Sequence, residues 1–357
     1  MSLIDLVNAN NEKEWDWDAL SSNPSISYTD ILANPTIPWN WRFVSQNPGI
    51  PMSFIFERID KGWDWQSLSS NPSLTWSDVE THSDIPWSRA YIAQHPNMTW
   101  DILITNRLYF KSWKEISSNP NVTLENVLST LRSGLATTND WHWDDLSVHL
   151  SKDIDALLRA KNLYCMWNWA VISQRAPLSQ AVLDVPNVPW DYPAMSCNRF
   201  LTMERLAANL SRPWHTSRLS MNPNLTLDFV LLHSEIDWDY SVMCYSIRAK
   251  PSVMKTITWI PWNWTKFSLN PHICLADVIE NAELPWHMSL LSTVLPVTIA
   301  EVVRFGHFAW SWRGLSSNKH IQVLDILTFP HSFNYPWDWA TLSRHRGNGK
   351  GNGKEEA

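Results

Sequence analysis

Cysteine, histidine and carboxylate are the residues from which a catalytic or metal centre is built, and their spacing in this sequence builds none. The four cysteines, Cys165, Cys197, Cys244 and Cys274, form no C-x-x-C pair, and none lies nearer than 30 residues to the next. That is neither a zinc pattern nor a disulfide framework. The twelve histidines are scattered. Three of them, His142, His215 and His287, share one slot of a repeat described below, where Asp and Asn otherwise dominate. There is no G-x-x-x-x-G-K-S/T, G-x-G-x-x-G, H-E-x-x-H or G-x-S-x-G motif. The aspartates recur once per repeat, each with a helix-capping explanation, and no repeat carries a carboxylate pair that the others lack. The residues therefore point to a non-enzymatic protein with no cofactor and no metal. The remote alternative is an enzyme with its site in an irregular stretch near 131–176.

Composition narrows the classes further. The chain has 357 residues, 44% of them hydrophobic and 18% charged, enough to bury a large core. A net charge of −7, with no dense Lys/Arg cluster before the C-terminal tail, disfavours a nucleic-acid binder that tracks phosphates. No run of 18 apolar residues exists to span a membrane. The first ten residues lack a basic region followed by a long apolar stretch, so no secretory signal is expected. A cytoplasmic protein of a reducing compartment, not secreted, is the expectation. Five N-x-S/T sequons begin at Asn97, Asn121, Asn209, Asn224 and Asn263. Without a secretory signal they read as turn and cap residues that happen to coincide.

What must position these side chains is a repeat, and tryptophan gives its period. Of the 25 tryptophans, pairs such as Trp15–Trp17, Trp39–Trp41 and Trp63–Trp65 open successive units. With the first Trp as position 1, units start at 15, 39, 63, 87, 111, 141, 167, 190, 214, 238, 262, 286, 310 and 337. Nine of the 13 spacings are 24 residues. The unit reads W-x-W-x-x-L-S-x-N-P-x-I-T-x-x-D-I-L, then a short polar link that often ends in Pro. Position 1 is Trp in 13 of 14 units, with Lys111 the exception, and position 3 is Trp in nine. Position 6 is always apolar, and position 7 is always small, Ser in 12 of 14.

Positions 3, 6 and 7 fall on one helical face. The spacing predicts a first helix from about position 1 to position 8, often preceded by a proline such as Pro38, Pro86 or Pro261, a residue suited to the first helical turn. The Asn-Pro pair stops it. A second helix of roughly two turns follows. Its signals are capping-box pairs such as Ser27/Asp30 and Thr75/Asp78, cap threonines at 99, 123 and 226, and an apolar position 17. Helices this short are marginal alone, so stacked neighbours must stabilise them. The expected structural core comprises Trp17, Leu20, Ser21, Trp41, Ser45, Trp65, Leu68, Ser69, Trp264, Ser268, Trp312, Leu315 and Ser316. Position 1 is expected to lie against the adjacent unit, and the small position 7 to mark a close helix–helix approach. The predicted fold is all-α, an α-solenoid of about 14 short helix-pair repeats. Residues 1–14 form an N-terminal cap half-repeat, 15–346 the continuous solenoid, and 347–357 a flexible Gly/Lys tail.

The 24-residue length, the L-S-x-N-P helix end and the short second helix resemble leucine-rich variant repeats, which alternate α and 3-10 helices in a superhelix. The P-W-D-W-x-x-L-S-x-N-P consensus is similar to Trp-rich repeats in proteins of giant DNA viruses, over about residues 15–345. This resemblance implies a viral protein of the host cytoplasm or the virion. It carries no known activity. The iron–sulfur module of some leucine-rich variant proteins needs clustered cysteines that this chain lacks.

The pattern breaks at three places. The 30-residue spacing after Lys111 contains Leu131–Asp140, expected as a surface loop. The units at 141 and 167 lose the position-10 proline. Position 3 carries Arg89, whose guanidinium is expected to reach the surface while its stem packs, a ligand-binding role being the alternative. The resulting functional reading is a repeat scaffold that binds a protein partner or itself, with no membrane and no nucleic acid. Binding of single strands or glycans on an aromatic ladder is the alternative, and it requires exposed position-1 tryptophans along one face.

Overall fold

Every one of the 14 repeats starts its first helix at position 3, from Trp17–Ser22 in repeat 1 to Trp339–Leu342 in repeat 14. The expected start at position 1 is two residues too early. Position 2 is the N-cap: its backbone is extended, and its side chain accepts from the first turn, as Asp16 does from Ala19 N at 3.0 Å. Asn40, Asp64, Asp191, His215, Asp239 and His287 cap in the same way. A side-chain cap requires that non-helical conformation, so the helix cannot begin earlier. The prolines lie outside the helix. Pro38 is the middle residue of a three-residue turn closed by Trp39 N to Ile37 O at 2.8 Å, and Pro86 and Pro261 sit in equivalent turns. An inverse γ-turn needs a central φ near the value that the proline ring imposes.

The second helices follow the sequence reading closely. Tyr28–Ala33 and Trp76–Thr81 begin with complete capping boxes at Ser27/Asp30 and Thr75/Asp78. Thr99, Thr123 and Thr226 accept from the first-turn amides of theirs. Position 17 is buried throughout, as at Ile31, Ile55, Leu103, Val230 and Ile326. Among the described residues of this computed structural model there is no strand, only one isolated bridge between Thr226 and Arg248. The protein is an all-α repeat solenoid. The structure describes residues 2–160, 163, 166–329 and 332–344. Cys165 and the tail 347–357 lie outside the described residues.

By contact the chain divides into two units, one of Met1–Ser88 with Ile273–Ala357 and one of Arg89–His272. The first unit joins the two ends of the sequence. Trp15 packs edge-on against Trp339, ring centroids 5.2 Å apart. Asp16 N donates to Ser343 Oγ at 3.0 Å, Asn23 Nδ2 donates to Ser343 O at 2.8 Å, and Arg344 pairs with Asp16 at 2.6 Å. Repeat 14 has no second helix of its own downstream among the described residues. The N-terminal helix Leu3–Ala9 packs against Val323–Thr328, the second helix of repeat 13, and Asn8 Nδ2 reaches Asn34 Oδ1, at the end of the second helix of repeat 1. It thus occupies the second-helix place of repeat 14. Asn10 plays the role of Asn34 one period earlier: each donates back into its own helix, and each carbonyl accepts the indole N–H five residues on.

The second unit holds the irregular repeats. Leu131–Ser133 is helical, not loop, because the second helix of repeat 5 runs on to Ser133 (Leu124–Ser133). It ends on Gly134 at φ 72°, a left-handed cap that glycine adopts without strain. The Thr137–Asp140 turn then leads into repeat 6.

Candidate interaction surface

The predicted core residues fall into two groups. Leu20, Ser21, Ser45, Leu68, Ser69, Ser268, Leu315 and Ser316 are buried. Trp17, Trp41, Trp65, Trp264 and Trp312 are only half-buried. Position 3 lies at the edge of the core because its ring is sandwiched between repeats. Its partner is the position-1 indole of the next repeat, edge-on, as in Trp41–Trp63 at 5.2 Å, Trp143–Trp167 at 4.9 Å and Trp312–Trp337 at 5.0 Å. The other edge of the position-1 indole is anchored too. Trp39, Trp63, Trp214 and Trp310 each donate Nε1–H to the backbone carbonyl five residues earlier. No position-1 tryptophan is exposed: six are buried and the other seven half-buried. The ring that a base or sugar would stack on is held by the neighbouring repeat, so no exposed aromatic ladder runs along the described residues. The position-1 indoles of Trp141, Trp167 and Trp190, consecutive members in the irregular stretch, lack an acceptor among the described residues.

Position 7 is more than small. Its hydroxyl donates to the position-3 carbonyl of its own helix, as Ser69 does to Trp65 O at 2.7 Å. It also accepts the position-2 backbone N–H of the next repeat: Asn40 on Ser21, Asp64 on Ser45, Ser88 on Ser69, Asp239 on Ser220 and Asp338 on Ser316, all at 2.9–3.0 Å. In repeat 10 Cys244 plays the same part with longer bonds, 3.2 Å to Tyr240 O and 3.4 Å from Asn263 N. Position 9 makes a second weld. Asn47 Nδ2 donates to Asn23 O and Ile26 O, and Asn270, Asn198 and Asn318 reach back in the same manner. Each Oδ1 accepts an amide two residues on, as from Gly49 N. This Asn is therefore more than half of a helix stop.

Two departures from the consensus explain each other. Arg89 and Lys111 replace the position-3 and position-1 aromatics of one junction. Arg89 is exposed, and its guanidinium lies 5.2 Å from the centroid of Tyr109, a cation–π contact in place of the indole pair. Tyr109 belongs to an additional helix, Arg107–Phe110, capped by Lys111 at φ 59°. Burial pushes the Tyr109 phenol above its ordinary pKa, against the opposing charge of Arg89. Position 7 of that repeat is Ala93, which has no hydroxyl to offer. The amide it would have served, Ser112 N, donates instead to Phe110 O at 2.7 Å.

The three histidines at position 2 have structural partners. His215 and His287 accept capping bonds, and His142 pairs with Asp145 at 2.9 Å. Cys197, Cys244 and Cys274 are free thiols, and burial raises the pKa of Cys197 and of Cys244. No three His, Cys, Asp or Glu among the described residues converge to hold a metal. The sequon amides Asn121, Asn209 and Asn224 all donate to protein acceptors, and Asn263 is a cap. In the irregular stretch a cavity of about 360 Å³ is lined by Glu125, Asp153 and Arg159 among others. Another of about 540 Å³ lies at the joined ends, against Asp16, Asp18, Phe43 and Arg344.

Several of the large apolar side chains that face outward sit on the second helices. In four repeats an aliphatic position 18 projects from them: Leu32, Ile279 and Val303 in the first unit, Leu231 in the second. Leu232 is 75% exposed and Leu32 50%. Trp259, outside the consensus positions, is 58% exposed and is the one described tryptophan in that class. No described helix is long and apolar enough to cross a membrane. No protein-family model matches the chain, and no curated protein or solved structure matches it either.

Proposed function

We propose that the chain is a non-enzymatic repeat scaffold that binds another protein through the outward faces of its second helices. The supporting observation is the division of labour within the repeat. Positions 1, 3, 6, 7, 9 and 17 are committed to holding neighbours together, whereas position 18 presents Leu32, Leu231, Ile279 and Val303 to solvent without a structural task. Exposed aliphatic side chains repeated on one kind of helix are what a partner would cover. A virus-infected host cytoplasm or a virion is the setting that the sequence resemblance suggests for that partner.

The experiment is affinity capture from that setting with the native chain and with Leu32→Arg, Ile279→Arg and Val303→Arg combined. The expected result is a protein recovered with the native chain and lost with the triple variant, whose thermal stability is unchanged. Equal recovery by both chains contradicts the reading.

A further inference from the structure

The joint between the ends of the sequence differs from other junctions in one respect: no peptide link carries the chain across it. Repeat 14 reaches it from residue 344 backwards, and repeat 1 with the helix Leu3–Ala9 from residue 2 forwards. Its chemistry is that of the ordinary junction. The indole pair Trp15–Trp339, the Asp16 N–H on Ser343 and the Asn23 amide on the Ser343 carbonyl reproduce the signature contacts. Leu3, Ile4, Leu6 and Val7 of the N-terminal helix are 0–5% exposed. A seven-residue helix does not persist in water alone, so its burial depends on this packing. Arg344–Asp16 adds an ion pair, and Lys13 Nζ lies 6.0 Å from the ring of Trp339.

From this we infer that the joint is a docking interface in its own right, and that its two faces bind each other between copies of the chain as well as within one. The N-terminal face comprises Leu3–Ala9, Trp15, Asp16 and Asn23. The C-terminal face comprises the helix Val323–Thr328 with Trp339, Ser343 and Arg344, backed by the buried Leu342. The partner is a second copy, because the complementary surface is the one already seated there. The two faces are different patches, so the contact is heterologous, the kind that joins copies head to tail. Within one chain the two faces are already seated on each other by the folded array, so closure is intramolecular and the closed single chain dominates at micromolar concentration. Weakening one face opens the joint and leaves the other free for a neighbour. This inference goes beyond the reading of the chain as a protein-binding scaffold by naming a second copy as partner and a surface apart from the second-helix faces. Its test needs no second protein, so its failure leaves the capture experiment above undecided.

Two full-length variants test it. Leu6→Asp spoils the N-terminal face and Leu342→Asp spoils the C-terminal face. Either alone can make the joint neither within a chain nor between chains. Mixed, they have one intact face each and must form a 1:1 dimer that stops there, seen by native mass spectrometry at tens of micromolar. A second pair guards against simple misfolding, because Asp16→Arg and Arg344→Asp change partly exposed groups. Alone, each sets like charges across the joint. Mixed, both junctions of a heterodimer carry opposite charges, and the heterodimer should exceed either homodimer by about two- to fivefold, the range of an exposed ion pair. Helical, monomeric mixtures overturn the proposal. If the leucine variants do not fold, the outcome of the charge pair decides it.

Discussion

Replacing Ser69 by alanine removes a single oxygen and should loosen the array more than its size suggests. Ser69 is fully buried, and its hydroxyl sits between two repeats. It donates to Trp65 O at 2.7 Å and accepts Ser88 N–H at 2.9 Å. Without it, Trp65 O keeps the backbone bond from Ser69 N at 3.0 Å, but Ser88 N–H is left without its acceptor. A buried donor stranded in this way costs about 1–3 kcal/mol. Because Ser88 is itself half-buried, the lower half of that range is expected. Cysteine should recover part of the loss, since Cys244 makes both bonds at greater length. Leucine should cost more than alanine, because overpacking of about 1–3 kcal/mol adds to the lost bonds. Asp64→Leu removes the N-cap of the same helix and should cost about 1 kcal/mol. Urea melts of the four variants, compared at constant denaturant slope, decide the matter. If Ser69→Ala lies within about 0.5 kcal/mol of the native chain, the ordinary range of an inconsequential substitution, the hydroxyl weld is wrong. The native exception at Ala93 argues against that outcome, because the amide it leaves unserved has found another acceptor at Phe110 O.

Three further outcomes follow from single contacts. Gly314→Ala should destabilise by about 1–3 kcal/mol, because an added Cβ would stand 2.9 Å from Ser292 Cβ and 3.1 Å from Ser289 O; a melt unchanged from native refutes the close approach. Tyr109→Leu should cost about 0.5–1 kcal/mol through the lost cation–π contact, and the loss should vanish in an Arg89→Leu background in a double-mutant cycle; additive losses refute the pairing. Cys244 should resist iodoacetamide at pH 8 in the native chain, since burial raises its pKa and leaves little thiolate, and should react once urea unfolds the array; rapid native labelling, read by peptide mass spectrometry, contradicts its placement.

The sequence carries the array because its period is written in large residues. Trp15, Trp39 and Trp63 set the register, the apolar positions 6 and 17 mark the buried faces, and Thr75/Asp78 marks a helix start by chemistry that is local to four residues. What it hides is hydrogen bonding between repeats. A serine such as Ser21 reads as small, and nothing in its type shows that Asn40 N–H, 19 residues on, rests on its oxygen. Asn47 reads as half of an Asn-Pro stop, although recurrence of Asn at position 9 in eight repeats was a signal that a side-chain amide was in use. The helix start reads two residues early because the proline before position 1 suits a first helical turn, whereas position 2 needs an extended backbone to cap. The joining of the ends has the faintest trace of all: Asn10 stands 24 residues before Asn34, and the last repeat runs out after its first helix. Of the interaction surface, position 18 is apolar in most repeats, with Glu80, Asp184 and Lys255 among the exceptions, but exposure is a property of packing that residue type alone does not give.

The central claim is that most repeats are welded to their predecessors through the position-2 amide, and that the first repeat takes the last as its predecessor. Amide hydrogen exchange of Asp16, measured against Asp64 and Asp239, tests both halves at once. All three donate to a position-7 hydroxyl at 2.9–3.0 Å, Asp16 to Ser343 across the joint of the two ends. The account predicts protection of Asp16 comparable to the other two, and its loss in Ser343→Ala. Exchange of Asp16 at the rate of an exposed amide, with Asp64 and Asp239 protected, would contradict the joined ends. Exchange of all three at that rate would contradict the weld itself.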